Sequence, residues 1–189
     1  MKNKTRVKIK EIADFNFGYH ISEIQNQGIL YLQAKNFDEN GLYLDNVENF
    51  IDKDTIKEEH LLRDGDILLV GKGMRFFAYK YEQSIGKAIA SSIFYLIRVD
   101  QDRILPDYLT CILNHSKSHK YFNSIGAGSS IPSIRKNELA DYEIALPALE
   151  MQSKIVNIYN LHKYEIQLIE KVKQNNLIRF NQMINEITK

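Results

Sequence analysis

Two histidines in this 189-residue sequence stand at a spacing that could hold a metal ion. His115 and His119 are four residues apart, which on a helix places both imidazoles on one face, as in zinc-dependent hydrolases. No glutamate adjoins the pair to act as a general base. Surface or helix-capping histidines are the simpler interpretation, so we expect no metal site here.

Other catalytic patterns are present only as fragments. Gly86-Lys87 is followed by Ala88, which lacks the hydroxyl group that holds magnesium in a phosphate-binding loop. Pro106-Asp107 matches the first half of a nuclease carboxylate motif, but no later acid stands two residues before a lysine. The motifs of a base methyltransferase are also missing from the sequence. We therefore expect no catalytic residues and no cofactor in this chain.

The composition is typical of a folded, soluble protein, with 44% hydrophobic and 26% charged residues. The length suits one domain, or one domain with an appended element. A single cysteine, Cys111, cannot form an intramolecular disulfide, which favours a reducing cytoplasm. No apolar run is long enough to cross a bilayer, so we expect a cytoplasmic protein that does not contact membranes.

The net charge of +1 conceals an uneven distribution along the chain. Residues 38–66 are rich in acids and would repel phosphate, whereas residues 67–99 contain Glu82 as their only acid and residues 108–137 contain none. The acid-poor segments predict one basic face suited to a polyanion. The alternative is that charge varies along the surface without functional meaning.

The elements that would position these side chains are short strands and helices up to Pro147. Strand patterns occupy residues 7–10, 29–34, 67–70 and 88–99, and residues 106–122 have helical spacing. Residues 126–132 contain glycine, serine and proline and predict a loop. The fold class expected is α+β, with a mixed domain over residues 1–148.

Residues 149–189 predict one long helix from Glu150 to about Ile187, with no glycine or proline inside it. At roughly 1.5 Å per residue it would extend more than about 50 Å, beyond the reach of a domain of this size. Its apolar residues recur with a coiled-coil period, and we predict a dimer interface at Ile155, Tyr159, Ile166, Ile169, Phe180, Met183 and Ile187. The alternative is an ordinary helix that packs along its own domain.

Several segments together resemble the specificity subunits of type I restriction-modification systems. Residues 61–70 read LLRDGDILLV and are followed by Gly71 and Gly73, similar to a segment of that family. Residues 144–152 read IALPALEMQ, similar to its entry into the spacer helix. Further similar segments, in the same order and spacing, are residues 7–13, 29–37, 105–109 and 128–132. The resemblance covers nearly the whole chain from Val7.

The resemblance implies a target-recognition domain over residues 1–148 and a helical spacer over residues 149–189. Family members normally carry this unit twice, so the single copy here suggests a half-subunit that pairs with a second copy and reads a bipartite target. The partners implied are double-stranded DNA, a methyltransferase subunit and a restriction endonuclease subunit. S-adenosylmethionine, ATP and magnesium are expected only on those subunits, and this chain is expected to be no enzyme itself.

Candidate DNA contacts come mainly from the acid-poor segments, because arginine and lysine both neutralise phosphates and read guanine edges. The predicted phosphate or base contacts are Lys72, Arg75, Lys80, Lys87 and Arg135. The predicted polar contacts are Lys35, Asn36, Tyr79, Ser129 and Ser130. Two other functions remain open from the residues alone: a metal-dependent nuclease with an unrecognised site, and a helical protein-assembly module.

Overall fold

The computed structural model describes residues 5–21, 23–38, 41–45, 49–53, 56–126 and 131–188. Within them the strands are β1 (Arg6–Lys8), β2 (Ala13–Phe17), β3 (Ile29–Leu32), β4 (Phe50–Ile51), β5 (Ile67–Val70), β6 (Ala78–Lys80), β7 (Ala88–Ala90), β8 (Phe94–Val99) and β9 (Glu143–Ala145). The helices are α1 (Pro106–Leu113), α2 (Ser116–Gly126), α3 (Lys136–Ala140) and α4 (Leu149–Ile187). The mixed fold with a long C-terminal helix agrees with the class expected from the sequence.

A four-stranded antiparallel sheet in the order β2-β8-β5-β6 lies at the centre. Every residue of β5 is buried, because both faces of the sheet are covered. Ile67 and Leu69 belong to one core cluster, and Leu68 and Val70 belong to another. Burial on both faces explains why this strand is a continuous apolar run rather than an alternating one.

The first cluster fills the space between the sheet, α1 to α3, and the two-stranded β1-β9 ladder. Residues 106–122, which have helical spacing throughout, form two helices rather than one. The break occurs at Asn114, whose side chain accepts a hydrogen bond from the Ala78 N–H and donates one to the Ala78 carbonyl, both at 2.8 Å. This side chain satisfies the backbone of β6, the edge strand of the sheet.

The second cluster lies between the opposite face of the sheet and the region of a three-stranded sheet in the order β4-β3-β7. In that sheet β3 is antiparallel to β4 and parallel to β7. The predicted loop falls partly outside the described residues: α2 ends at Gly126, residues 127–130 are not described, and Ile131 begins the next described segment.

Helix α4 contains 39 residues and is nearly 60 Å long at about 1.5 Å per residue. Its first turns are joined to the globular body through Gln152, Ile155 and Val156. The side chains of residues 164–188 are all exposed. Among the described residues, neither this helix nor any other combines the length and the hydrophobicity required to span a membrane.

Candidate nucleic-acid interface

Two of the cations in the acid-poor segments are engaged inside the fold. Lys80 Nζ lies 2.7 Å from Asp107 Oδ1 and 3.3 Å from Glu82 Oε1, so it joins β6 to the start of α1. Burial lowers the pKa of Lys80, but the hydrogen bonds to these carboxylates outweigh burial, and the pKa is raised. Lys80, a predicted DNA contact, therefore has a structural role in this conformation.

Arg98 forms a bidentate ion pair with the buried carboxylate of Asp66, with both N···O distances 2.7 Å. The same carboxylate accepts a hydrogen bond from the Arg63 N–H at 2.8 Å. This pairing links β8 to the turn before β5 and neutralises the guanidinium charge. The sequence segment that contains Asp66 and Gly65 is thus explained by folding rather than by ligand binding.

The other predicted cations are exposed. Lys72 follows β5, Lys87 precedes β7, and Arg135 precedes α3. No described carboxylate lies within ion-pairing distance of these three side chains. Arg75 is also exposed, and its Nη1 donates a hydrogen bond to the Asp38 carbonyl at 3.1 Å. These side chains retain the positive charge that a phosphate contact requires.

The predicted polar contacts have different surroundings. Lys35 is exposed, but the neighbouring Asn36 is only 1% exposed and its Oδ1 accepts a hydrogen bond from the Gln33 N–H at 2.6 Å. Tyr79 is partly buried against Phe37, and burial raises its pKa to about 12. In this conformation Asn36 is a structural residue with no surface to offer a ligand. Ser129 and Ser130 lie outside the described residues.

One exposed cation that was not among the predicted contacts is Lys136, whose Nζ lies 5.8 Å from the centre of the Phe17 ring. Phe17 is 54% exposed and comes from β2, far from Lys136 in the sequence. The position of Lys136 beside Arg135 in an acid-poor segment was a signal available in the sequence. The exposed aromatic ring beside it was not, since only the fold brings β2 to the start of α3.

The residues predicted for a dimer interface divide into two groups along α4. Ile155 packs against the first core cluster, and Tyr159 is partly buried beside a groove of about 270 Å³ between α4 and the body. Ile166 reaches the edge of the same groove but is exposed. The remaining four predicted interface residues are exposed: Ile169, Phe180, Met183 and Ile187.

The two histidines at helical spacing have separate roles. The Lys117 N–H donates a hydrogen bond to His115 Nδ1 at 3.1 Å, at the start of α2, so this imidazole acts as a helix cap. His119 is partly buried, and both burial and the nearby His115 lower its pKa. In the part of the chain that the structure describes, no group of three or more potential ligands is placed to hold a metal ion.

Comparison with known proteins identifies the family of this chain. The sequence matches the family model described as type I restriction modification DNA specificity domain over residues 1–178. The chain belongs to this family. Specificity domains of this kind are DNA-recognition proteins rather than enzymes. No curated protein matches the sequence.

Solved structures support the specificity-domain fold. A chain from a study of complex assembly and conformational transition of the type I R-M system has a TM-score of 0.67 and 16% identity, over 93% of this chain and 42% of that one. The type I S subunit from M. genitalium gives a TM-score of 0.61 and 14% identity, over 88% of this chain and 41% of that one. The HsdS subunit from Thermoanaerobacter tengcongensis gives a TM-score of 0.60 and 16% identity, over 91% of this chain and 40% of that one. The chain thus spans about two fifths of each neighbour.

Within the specificity domain, the segments that resemble the family are mostly structural. Residues 67–70 form the buried central strand, and Gln152 is fully buried where α4 joins the body. Of the exposed predicted cations, Arg75, Lys87 and Arg135 lie outside those segments, whereas Lys35 and Lys72 lie within them. The resembling segments therefore combine scaffold residues with exposed positions that could contact a ligand.

Proposed function

We propose that this chain is a sequence-specific DNA-binding subunit of a type I restriction-modification system, acting in the cytoplasm as a homodimer on a bipartite target. Residues 1–148 recognise DNA, and residues 149–189 form the spacer that dimerises and docks the other subunits. The observation that carries this proposal is the specificity-domain match over residues 1–178. The exposed cations without carboxylate partners, Lys72, Lys87 and Arg135, support it.

The partners follow from the same assignment. A methyltransferase subunit and a restriction subunit supply S-adenosylmethionine-dependent methylation and ATP-driven cleavage with magnesium, and this chain directs them to the target. Metal-dependent cleavage by the chain itself has no support in the described residues, which lack a cluster of potential metal ligands. The alternative of a protein-assembly module predicts no salt-dependent binding to DNA, and this measurement distinguishes it from the proposed function.

The homodimer is inferred from residues 164–188 of the chain, whose side chains are all exposed and which we call the free part of α4. Ile166, Ile169 and Phe180 are exposed, and apolar surface of this extent is stabilised when a partner covers it. A second copy of α4 offers the same apolar surface in a two-fold arrangement. Two identical domains would then read an inverted repeat, with half-site centres about one to one and a half DNA turns apart.

DNA binding is tested with Lys72→Ala, Lys87→Ala and Arg135→Ala combined in the full chain. If each side chain contacts a phosphate, the slope of log affinity against log salt should fall by about 0.9 per contact. Lys53→Ala, combined with Lys57→Ala, is the control because these lysines are exposed in the acid-rich segment. An unchanged slope in the triple variant would place the DNA interface elsewhere, and no salt-dependent binding by the unmodified chain would contradict the proposal.

Dimerisation is tested with Ile166→Asp and Ile169→Asp combined. Charges buried without partners in a helix interface destabilise it by several kcal/mol, about a hundredfold or more in affinity. Light scattering at tens of micromolar should then change from dimer to monomer. Lys171→Asp with Asn175→Asp places similar charges on the opposite face of α4 and should leave the dimer intact. A monomeric unmodified chain would refute the homodimer while leaving the recognition domain assigned.

A further inference from the structure

Two distant segments pair beside the end of β5. Residues 71–74 begin the loop between β5 and β6, and residues 131–134 run antiparallel beside them, with Lys72 opposite Ser133. The Gly73 N–H donates to the Pro132 carbonyl at 3.0 Å, and the Ile134 N–H donates to the Gly71 carbonyl at 2.8 Å. We call this pair of segments the finger.

The tip of the finger is apolar and exposed. Met74 and Ile131, which we call the tip, directly adjoin the hydrogen-bonded residues Gly73 and Pro132. Met74 is 81% exposed and Ile131 is 50% exposed. A single exposed apolar side chain is ordinary on a protein surface, and two on paired segments offer a small apolar contact surface.

The base of the finger is held firmly by the core. The Tyr95 hydroxyl donates a hydrogen bond to the Ile134 carbonyl at 2.7 Å, and Ile134 itself is buried. A Cβ atom at Gly71 would lie 2.5 Å from the Tyr95 ring, so glycine is required for this ring to pack against the backbone. The buried residues at the base therefore hold the backbone next to Met74 and Ile131 in place, which favours specific contacts by these side chains.

Cations lie within the finger and directly after it in the sequence. Lys72 lies within it, and Arg135 and Lys136 follow it directly, with Lys136 above the exposed Phe17 ring. The carboxylate of Glu138 is engaged locally, where its Oε2 accepts a hydrogen bond from the Arg135 backbone N–H at 2.7 Å. The guanidinium group and both ammonium groups have no described carboxylate within ion-pairing distance. An apolar tip accompanied by cations that no described carboxylate neutralises complements bases flanked by phosphates.

We infer that the finger enters the major groove of DNA, where Met74 and Ile131 contact the C5-methyl groups of thymine. This inference rests on the proposed function and names its base-reading side chains. Two paired chain segments can enter the major groove, which is about 12 Å wide, and the thymine methyl is the apolar feature displayed there. Lys72, Arg135 and Lys136 then neutralise phosphates on either side and set the orientation of the finger.

A selection experiment separates base reading from general affinity. The full chain is used to select from a library of randomised duplex DNA, and the same is done with Met74→Ser combined with Ile131→Ser. Both residues are exposed, so the variant should retain its thermal unfolding midpoint and its salt slope. It should lose enrichment for thymine at one or more positions. Met151→Ser, at a half-exposed position on α4, is the matched control and should select the same sequences as the unmodified chain.

The contact itself is tested by replacing thymine with uracil at the enriched positions of the selected duplex. Each methyl group removed should weaken binding of the unmodified chain about fourfold, the effect of about one buried methyl group. The double variant should bind both duplexes equally.

The outcomes distinguish this inference from the function on which it rests. Salt-dependent, sequence-selective binding with unaltered selection by the double variant would overturn the inference alone. Absence of salt-dependent binding, or binding without any sequence preference by the unmodified chain, would overturn both. A double variant that selects the same DNA but no longer associates with another protein would assign the finger to protein docking.

Discussion

The globular body and the free part of α4 use the same kinds of apolar side chain in opposite ways. Phe94 in β8 is fully buried in the second core cluster, whereas Phe180 in α4 is 58% exposed. The body can bury its apolar residues because other segments of the chain cover both faces of its sheet. On α4, by contrast, every described side chain from Tyr164 onward is exposed. The comparison shows that hydrophobic pattern alone does not say whether a residue stabilises its own chain or an assembly.

The largest expected difference between the two regions is the cost of removing an aromatic ring. Phe94→Ala should lower the free energy of unfolding by about 3–5 kcal/mol, because it leaves a cavity in a closely packed core. Phe180→Ala should change it by less than about 0.5 kcal/mol in the monomer. Urea unfolding of both variants in the Ile166→Asp, Ile169→Asp background measures the monomer. Equal effects would show that α4 is covered by its own chain.

A smaller difference is expected between two glutamines of α4, one where the helix joins the body and one in its exposed part. Gln152 is buried, accepts a hydrogen bond from the Leu105 N–H and donates to the carbonyls of Arg103 and Pro147, all within 3.0 Å. Gln152→Ala leaves these backbone groups without partners and should destabilise the protein by about 1–3 kcal/mol. Gln174 is exposed, and Gln174→Ala should have almost no effect. Urea unfolding compares the two, and a neutral Gln152→Ala would mean that α4 is joined to the body mainly by apolar contacts.

The smallest expected effect concerns pH. The pKa of His119 is lowered by burial from an ordinary value of 6.5, so the unfolded chain binds a proton more readily than the folded one. The stability that neutral His119 preserves is therefore present above about pH 6.5 and is lost as the pH falls below it, by at most about 1.4 kcal/mol per pH unit. Unfolding measured between pH 5 and 8 should show this slope reduced in His119→Gln. His162→Gln, at an exposed position on α4, controls for removing a histidine. If His119→Gln left the slope of unfolding free energy against pH unchanged, the slope would not come from His119.

Local signals in the sequence were sufficient for the main elements and for the family. The absence of glycine and proline after Pro147, together with apolar periodicity, predicted α4 within one residue of its observed start at Leu149. The apolar run at residues 67–70 predicted the buried strand β5. These features depend on neighbouring residues, whose spacing determines helix or strand periodicity directly.

The sequence did not determine which charged and polar residues remain available to a ligand. Lys80 and Arg98 stand in acid-poor segments, yet each is paired with a carboxylate, Asp107 or Asp66, that is distant along the chain. Asn36 is buried because its amide completes a local turn. The finger depends on pairing between residues 71–74 and 131–134, about sixty positions apart. Tertiary structure decided these points because ion pairing and strand pairing depend on distances in space, which sequence spacing does not specify.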